Sequence, residues 1–411
     1  MPGALDGYQR RLLVFLSVAT FFEGYDFIAL AQLLPELRAD LGLDTGEGGG
    51  LVSFINLGTV AAYVLVRLAD RWGRRRLLTV TIAGYTLFTF LSGLAPGARS
   101  FAVFQFVARM FLIAEWATSM VVAAEEFPAA RRGFVIGIIQ GCSSLGSIAC
   151  AGLVPLLVQT RWGWRTVYFV GIIPLVLLAY ARRGLRETRR FAEQEPPAAA
   201  GDLLRIWRTP YRGRLVALGA VWTFTYLCTH NAVTFWKEFA IAERALSPAQ
   251  VAASIAIAAV ASMPFVFYAG KLIDQVGRRR GAVVIFGLTV AGVFGCYTLH
   301  GQAALTVALV FGIFGASAVL HVLNAFTAEL FPTDLRGDAF AWSNNLLGRL
   351  LGYVPSPWLV GVLAADVGWG SAMRLTVLGP IVALALIWLL LPETGSRELE
   401  ETAALGDAPR R

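Results

Sequence analysis

The chain has 411 residues, of which 57% are hydrophobic and 15% charged, with a mean hydropathy of +0.64. Soluble domains carry about 25% charged residues, so composition alone excludes a water-soluble enzyme. Lys and Arg outnumber Asp and Glu by 35 to 27, and in a chain this apolar the placement of that +8 excess matters more than its sum, which would otherwise point to nucleic acid.

Apolar runs at 11–35, 51–69, 77–95, 101–124, 134–157, 164–181, 214–237, 249–270, 281–300, 302–328, 338–364 and 371–391 predict membrane-spanning helices throughout. Each approaches the length of about 20 residues that a hydrocarbon core requires, and little is left over for an extramembrane domain. Arg10 and Arg11 precede the first run, which is too long for a signal-peptide core and lacks a small-residue cleavage site, so it reads as a retained span. The stretch 182–213 breaks the pattern with clustered Arg and Pro196-Pro197. It predicts a cytoplasmic linker between an N-terminal six-helix bundle, 1–181, and a C-terminal one, 214–411, with a short tail.

An N-terminus placed inside puts 26 of the 35 basic residues at the cytoplasmic side and seven outside, leaving Arg109 and Arg349 within the membrane. The positive-inside rule therefore predicts cytoplasmic N- and C-termini. An internal repeat supports the two halves. Asp70 through Arg76 recurs as Asp274 through Arg280, and Glu125 through Gly133 recurs as Glu329 through Gly337, both at an offset of 204. Duplicated halves of this kind place a transport site near the midplane between them.

Ionisable residues inside spans are costly, about 2.5–3.5 kcal/mol each at the helix centre, and mark function by default. Glu23 and Asp26 lie three apart on one face of the first helix. Like charges so close, in a desolvated place, favour proton binding. Counting rise along each span puts Glu23, Asp26, Glu115 and Arg349 near one depth, with His230 somewhat outward. Shifted by 204, Asp26 falls on His230, so the two are expected to correspond across the repeat. Proton coupling is assigned to Asp26, Glu23, Glu115 and His230. Arg109 is six residues from Glu115, about 120° around the helix, and does not simply pair with it.

Arg349 offers a planar fork suited to carboxylates, or else a neutralising charge for Glu23, Asp26 or Glu115. Tyr25, Trp116, Tyr226 and Tyr353 are candidates to line a cavity for an aromatic or amphipathic ligand. Asn231, His321, Asn324 and Asn345 are candidate hydrogen-bonding groups, or else join helices. In the cytoplasmic loops Asp70, with Arg71, Gly73, Arg74 and Arg75, and its repeat Asp274, Gly277 and Arg278, suggest a gate that docks an acid on a positive helix end in one state only. Glu125, Arg132, Glu329 and Arg336 belong to the second repeated motif and to the same gate. The four cysteines sit in apolar runs with no metal-ligand spacing, so no metal, disulfide or cofactor is expected.

Asp70 through Arg75, and Gly270 through Arg279 with Gln275 in place of the first Arg, resemble the loop signature of the major facilitator superfamily, with Val66 where the N-terminal copy would have its first glycine. Glu329 through Gly337 and Pro392-Glu393-Thr394-Gly395 are similar to elements of the sugar-porter and organic-acid branches. Glu115-Trp116 resembles an element of metabolite:proton symporters, and Glu23-Gly24-Tyr25-Asp26 one of aromatic-acid:proton symporters. The seventh span lacks the paired glutamines of sugar porters, and the fifth lacks the Gly-Pro element of drug antiporters.

The resemblance implies an all-α membrane protein of twelve helices in two pseudo-symmetric bundles, working by alternating access and not as an enzyme. It implies proton-coupled symport of a small organic anion, by a monomer in a lipid bilayer. The alternatives are proton-coupled export of amphipathic compounds and, from another class, a transporter-like nutrient sensor. Arg outnumbers Lys by 33 to 2, which suggests a GC-rich bacterial genome and hence the inner membrane.

Overall fold

A computed structural model describes residues 6–173, 204–332 and 335–395, and every described secondary-structure element is helical. Helix α1 (Gly7–Leu41) opens on a reciprocal cap. Gln9 N–H donates to Asp6 Oδ1 at 2.7 Å, and Asp6 N–H donates to Gln9 Oε1 at 3.2 Å. Helices α2 (Thr45–Trp72), α3 (Arg74–Gly93), α4 (Ala98–Glu126) and α5 (Ala129–Leu157) follow, and then α6 (Arg165–Phe169), which tightens into the 3₁₀ turn Val170–Ile172.

The second half runs through α7 (Arg212–Thr234), α8 (Trp236–Ala242), α9 (Pro248–Val276), α10 (Arg278–Cys296), α11 (Gln302–Glu329) and α12 (Arg336–Phe340). The π-helical run Ala341–Tyr353 continues from α12, and α13 (Ser356–Thr376) and α14 (Leu378–Leu390) complete it. Helix α9 repeats the capping device of α1, with Ser247 and Gln250 exchanging bonds and Pro248 in its first turn.

The duplication is visible in the helix starts. Helices α3 and α10 begin 204 apart (278 − 74), and α4 and α11 begin 204 apart (302 − 98). The turn before α3 is made by Gly73 at φ +89°, and the turn before α10 by Gly277 at φ +91°. Those left-handed values are open to glycine and strained for other residues, which gives the glycine of both loop motifs a physical reason.

Cα packing separates two compact units. One comprises Met1–Asp44 and Phe54–Ala200, the other Thr45–Ser53 and Gly201–Arg411, so the first turns of α2 group with the second unit and not with the rest of its helix. The core of the first unit gathers Leu12, Leu16, Leu78, Ile82, Tyr85 and Leu112. That of the second gathers Leu218, Trp222, Phe286, Val322 and Phe326. Among the described residues, eight stretches are long and apolar enough to cross a membrane, and the last of them, 336–390, is long enough for two spans. The residues expected to form the linker, 182–213, are described only from 204 onward.

Two predicted spans differ in detail. The seventh breaks at Phe235 between α7 and α8. The eleventh, expected as a plain helix, is π-helical over its first part, where Val354 N–H donates to Arg349 O at 2.8 Å. The Thr223 hydroxyl of α7 lies 2.9 Å from Gly219 O of its own helix and 3.2 Å from Leu347 O of this run.

Candidate functional site

In the first unit, α1 presents Glu23 and Asp26 to three other helices. Helix α5 comes close because Gly24 faces the backbone of Ser143 and Gly146 faces Phe21 O, so neither position has room for a Cβ. That approach lets Ser143 Oγ donate to Glu23 Oε2 at 2.9 Å and Ser147 Oγ donate to Gly24 O at 2.9 Å. Helix α3 supplies Thr89, whose hydroxyl donates to Asp26 Oδ2 at 3.1 Å. Gly171, in the 3₁₀ turn, closes the other side of Asp26, where an added Cβ would stand 3.7 Å from Oδ1.

Helix α4 contributes both Arg109 and Glu115, which are 5% and 0% exposed. The Arg109 guanidinium sits 4.6 Å from the Phe27 ring centroid and donates to Phe27 O at 3.5 Å from both terminal nitrogens. Glu115 Oε1 accepts from Ser119 at 2.6 Å, while Oε2 is buried without a partner. Three predicted acids are thus gathered in one unit, which also holds Arg109 against Phe27. Sequence reasoning gave Arg109 no partner because it compared Arg109 only with Glu115 on its own helix.

Two predicted lining residues of this unit are engaged elsewhere. Tyr25 is 1% exposed and donates to Val167 O at 3.4 Å, and half-buried Trp116 donates from Nε1 to Gln140 Oε1 at 3.3 Å. Thr89 and Ser143, which hold the acids, were missed. Their signal is faint, each being a small hydroxyl in an apolar run.

In the second unit, an aromatic row follows α7 and the π-helical run. Trp222 stacks on Tyr226 at 5.4 Å, Tyr226 meets Tyr353 edge-on at 5.6 Å, and Tyr353 lies 4.4 Å from the His230 ring. Tyr226 donates to Asn344 Oδ1 at 2.9 Å, and His230 Nε2 lies 3.2 Å from Thr234 Oγ1. Asn231 turns back onto its own helix, Nδ2 to Leu227 O at 2.9 Å, and its Oδ1 is left without a partner. Arg349 lies one turn of the π-helical run from Tyr353 and is half-buried. Among the described residues it makes no side-chain hydrogen bond or ion pair, and the same holds for Asn345, His321 and Asn324. The last two are exposed on α11. An apolar cleft beside α13 and α14, lined by Phe224, Leu359, Leu375 and Val382, contains none of these groups.

At the loop motifs, Arg74 pairs with Glu125 at 3.3 Å. In the repeat, Arg278 pairs with Asp274 and with Glu329, the latter at 2.7 Å, and Thr394 donates to Glu329 Oε2 at 2.6 Å. The Glu393 carboxylate accepts from Arg278 N–H at 2.7 Å and Arg279 N–H at 2.9 Å, so it caps the positive start of α10. Burial works to raise this carboxyl, but bonds from the N–H groups of Gly395, Arg279, Arg278 and Thr394 outweigh it and hold it below the ordinary range. Arg336 donates to Phe331 O at 3.5 Å, and Arg75 is exposed. The side chains of Asp70, Arg71 and Arg132 lie outside the described residues.

Residues 16–350 and 231–409 match the family profile described as Major Facilitator Superfamily. A protein of Cupriavidus pinatubonensis named as a probable 4-methylmuconolactone transporter is 28% identical, over 92% of this chain and 89% of its own. The gallate transporter of Pseudomonas putida is 24% identical, over 98% of this chain and 95% of its own. Among solved structures, the inward open xylose transporter XylE of E. coli superposes with a TM-score of 0.78 at 19% identity, over 96% of this chain and 99% of that one.

Proposed function

The chain belongs to the Major Facilitator Superfamily, a family of multi-pass membrane transporters and not of enzymes, and from that premise we propose that it imports a small organic anion together with protons by alternating access. The observation that carries this reading is Arg349. A guanidinium left without an ion pair in a membrane span is expensive unless a ligand supplies the missing charge, and its fork matches a carboxylate. The row of Tyr226, Tyr353 and His230 beside it offers faces to a planar, partly apolar body. The relatives named for gallate and 4-methylmuconolactone support an organic-acid cargo.

Asp26 and Glu23 take the proton in this reading, with Glu115 in the same buried group. Protonation changes their charge, and only a differential effect on the two states drives the cycle. The acid and arginine groups at the loop motifs close the cytoplasmic side. The protein works as a monomer in a bacterial inner membrane with both termini cytoplasmic, as the distribution of basic residues supports.

The test is uptake of labelled gallate into proteoliposomes with and without an inward proton gradient, for the wild type, Arg349→Lys and Asp26→Asn. Gradient-driven accumulation is expected in the wild type. Arg349→Lys should raise KM about tenfold or more, because a point charge replaces a bidentate fork. Asp26→Asn should abolish accumulation. Uptake indifferent to the gradient, or a KM unchanged in Arg349→Lys, would overturn the reading.

A further inference from the structure

Helix α10 begins and helix α14 ends at one edge of the second unit, and the two pack side by side. Between them runs a shallow groove of about 410 Å³, lined by Val283 of α10 and by Ile381, Leu384, Ala385, Trp388 and Leu389 of α14. On α14 the positions 381, 384, 385 and 388 recur at helical spacing, so they form one stripe along the helix. All the lining residues except Leu384 are exposed. The stripe from Ile381 to Trp388 rises about 10 Å, a third of a hydrocarbon core about 30 Å thick. That length suits part of one acyl chain.

The end of the groove at Trp388 is charged. The Arg279 guanidinium lies 4.4 Å from the centroid of the Trp388 ring, and its Nη2 donates to Trp388 O. Arg279 and the exposed Arg280 precede Val283 by four and three residues, which puts both on the face of α10 that borders the groove. The nearby acids are engaged with other groups. Arg278 pairs with Asp274 and Glu329, and the Glu393 carboxylate accepts from the backbone N–H groups of Arg278, Arg279 and Gly395. Among the described residues the side chains of Arg279 and Arg280 make no ion pair. Helix α14 stops at Leu391, before Pro392, and α10 starts from Gly277. Both helices therefore end at this level, where the hydrocarbon gives way to headgroups and Trp is enriched.

We propose that this groove binds an anionic phospholipid, with one acyl chain along the α14 stripe and the phosphate against Arg279 and Arg280. Exposed apolar residues on the flank of a membrane span face hydrocarbon, which makes the occupant a lipid, and the two arginines select among lipids by charge. Stacking on Trp388 holds the Arg279 charge in place before the lipid arrives, while Arg280 offers a fork that matches phosphate oxygens. A zwitterionic headgroup brings its own ammonium to the same place and gains less. The bound lipid bridges the start of α10 and the end of α14, beside the Glu393 cap.

The test is lipid retention. The protein is extracted from bilayers of equal phosphatidylglycerol and phosphatidylethanolamine, and the lipids that stay bound are counted by native mass spectrometry. The wild type should retain phosphatidylglycerol in preference. Arg280→Gln, at an exposed position with no protein hydrogen bond among the described residues, should cut that retention about fivefold, and Arg279→Gln with Arg280→Gln about tenfold or more. Ala385→Trp, which fills the groove from an exposed position, should lower retention with both arginines in place. Retention unchanged in the arginine variants overturns the proposal, and so does retention unchanged in Ala385→Trp, since the charge would then act without the groove. A wild type with no preference also overturns it, and a preference that emerges only when residues 396–411 are deleted hands the groove to that segment. Retention is read without transport, so every outcome is independent of the cargo.

Discussion

Thr89 donates its hydroxyl to Asp26 Oδ2 at 3.1 Å, joining α3 to α1 at the acid expected to carry the proton. A hydrogen bond to an ionised group is worth about 1.5–3 kcal/mol, so Thr89→Val should slow gradient-driven uptake by about tenfold. Gly171→Ala should act on the same acid from the other side, since the new methyl would meet Thr89 Cγ2 at 2.6 Å. Initial uptake rates against the wild type check both, and unchanged rates would remove Thr89 from the site.

The contact of α1 with α5 depends on two missing side chains, at Gly24 and Gly146. Alanine at either would strike backbone of the facing helix, which cannot yield as a flexible side chain would. Forced overpacking of this kind costs about 1–3 kcal/mol. A lower thermal midpoint of the purified protein is the expected result, with Ser143 drawn away from Glu23 and uptake reduced more than stability alone explains. By contrast Gly152→Ala on the same helix, with open space where its Cβ would go, should leave both unchanged.

Tyr226 holds Asn344 through the 2.9 Å bond to Oδ1, between α7 and the π-helical run that carries Arg349. Tyr226→Phe keeps the ring in the aromatic row and releases the amide. Loss of one neutral hydrogen bond is worth about 1 kcal/mol, so KM for the transported acid should rise about fivefold with little change in the maximal rate. An equal fall in both parameters would assign the residue to another step.

Glu393 lies beyond α14, and its carboxyl is held below the ordinary range in the folded protein. A carboxyl whose folded value is depressed stabilises the fold above its unfolded value, about 4.3, and loses that contribution as pH falls through the folded value. Glu393→Gln should therefore lower the thermal midpoint at neutral pH, by the equivalent of about 1 kcal/mol for a lost cap. The gap between variant and wild type should close on acidification below about pH 4. A gap independent of pH would mean that packing of Glu393, and not its charge, holds α10.

The spans were legible because hydrophobicity in a membrane chain is local. Each helix satisfies its own backbone within one segment, so an apolar run long enough to cross reads as a span without knowledge of its neighbours. The acids Glu23, Asp26 and Glu115 were legible for the same reason, since a carboxyl inside such a run is conspicuous. The repeat at 204, and the glycines at 73 and 277 that open α3 and α10, were visible as text and needed only the left-handed turns to explain them.

Which groups meet was decided by tertiary structure alone. No feature of sequence ties Thr89 to Asp26, Ser143 to Glu23 or Arg109 to Phe27 O, because hydrogen bonds between helices depend on the rotation and approach of each about its axis. The same is true of the π-helical run around Arg349 and of Glu393, whose carboxylate caps a helix more than a hundred residues away. Composition and periodicity determine that these segments cross the bilayer and that polar groups among them are costly. Packing determines how each cost is met.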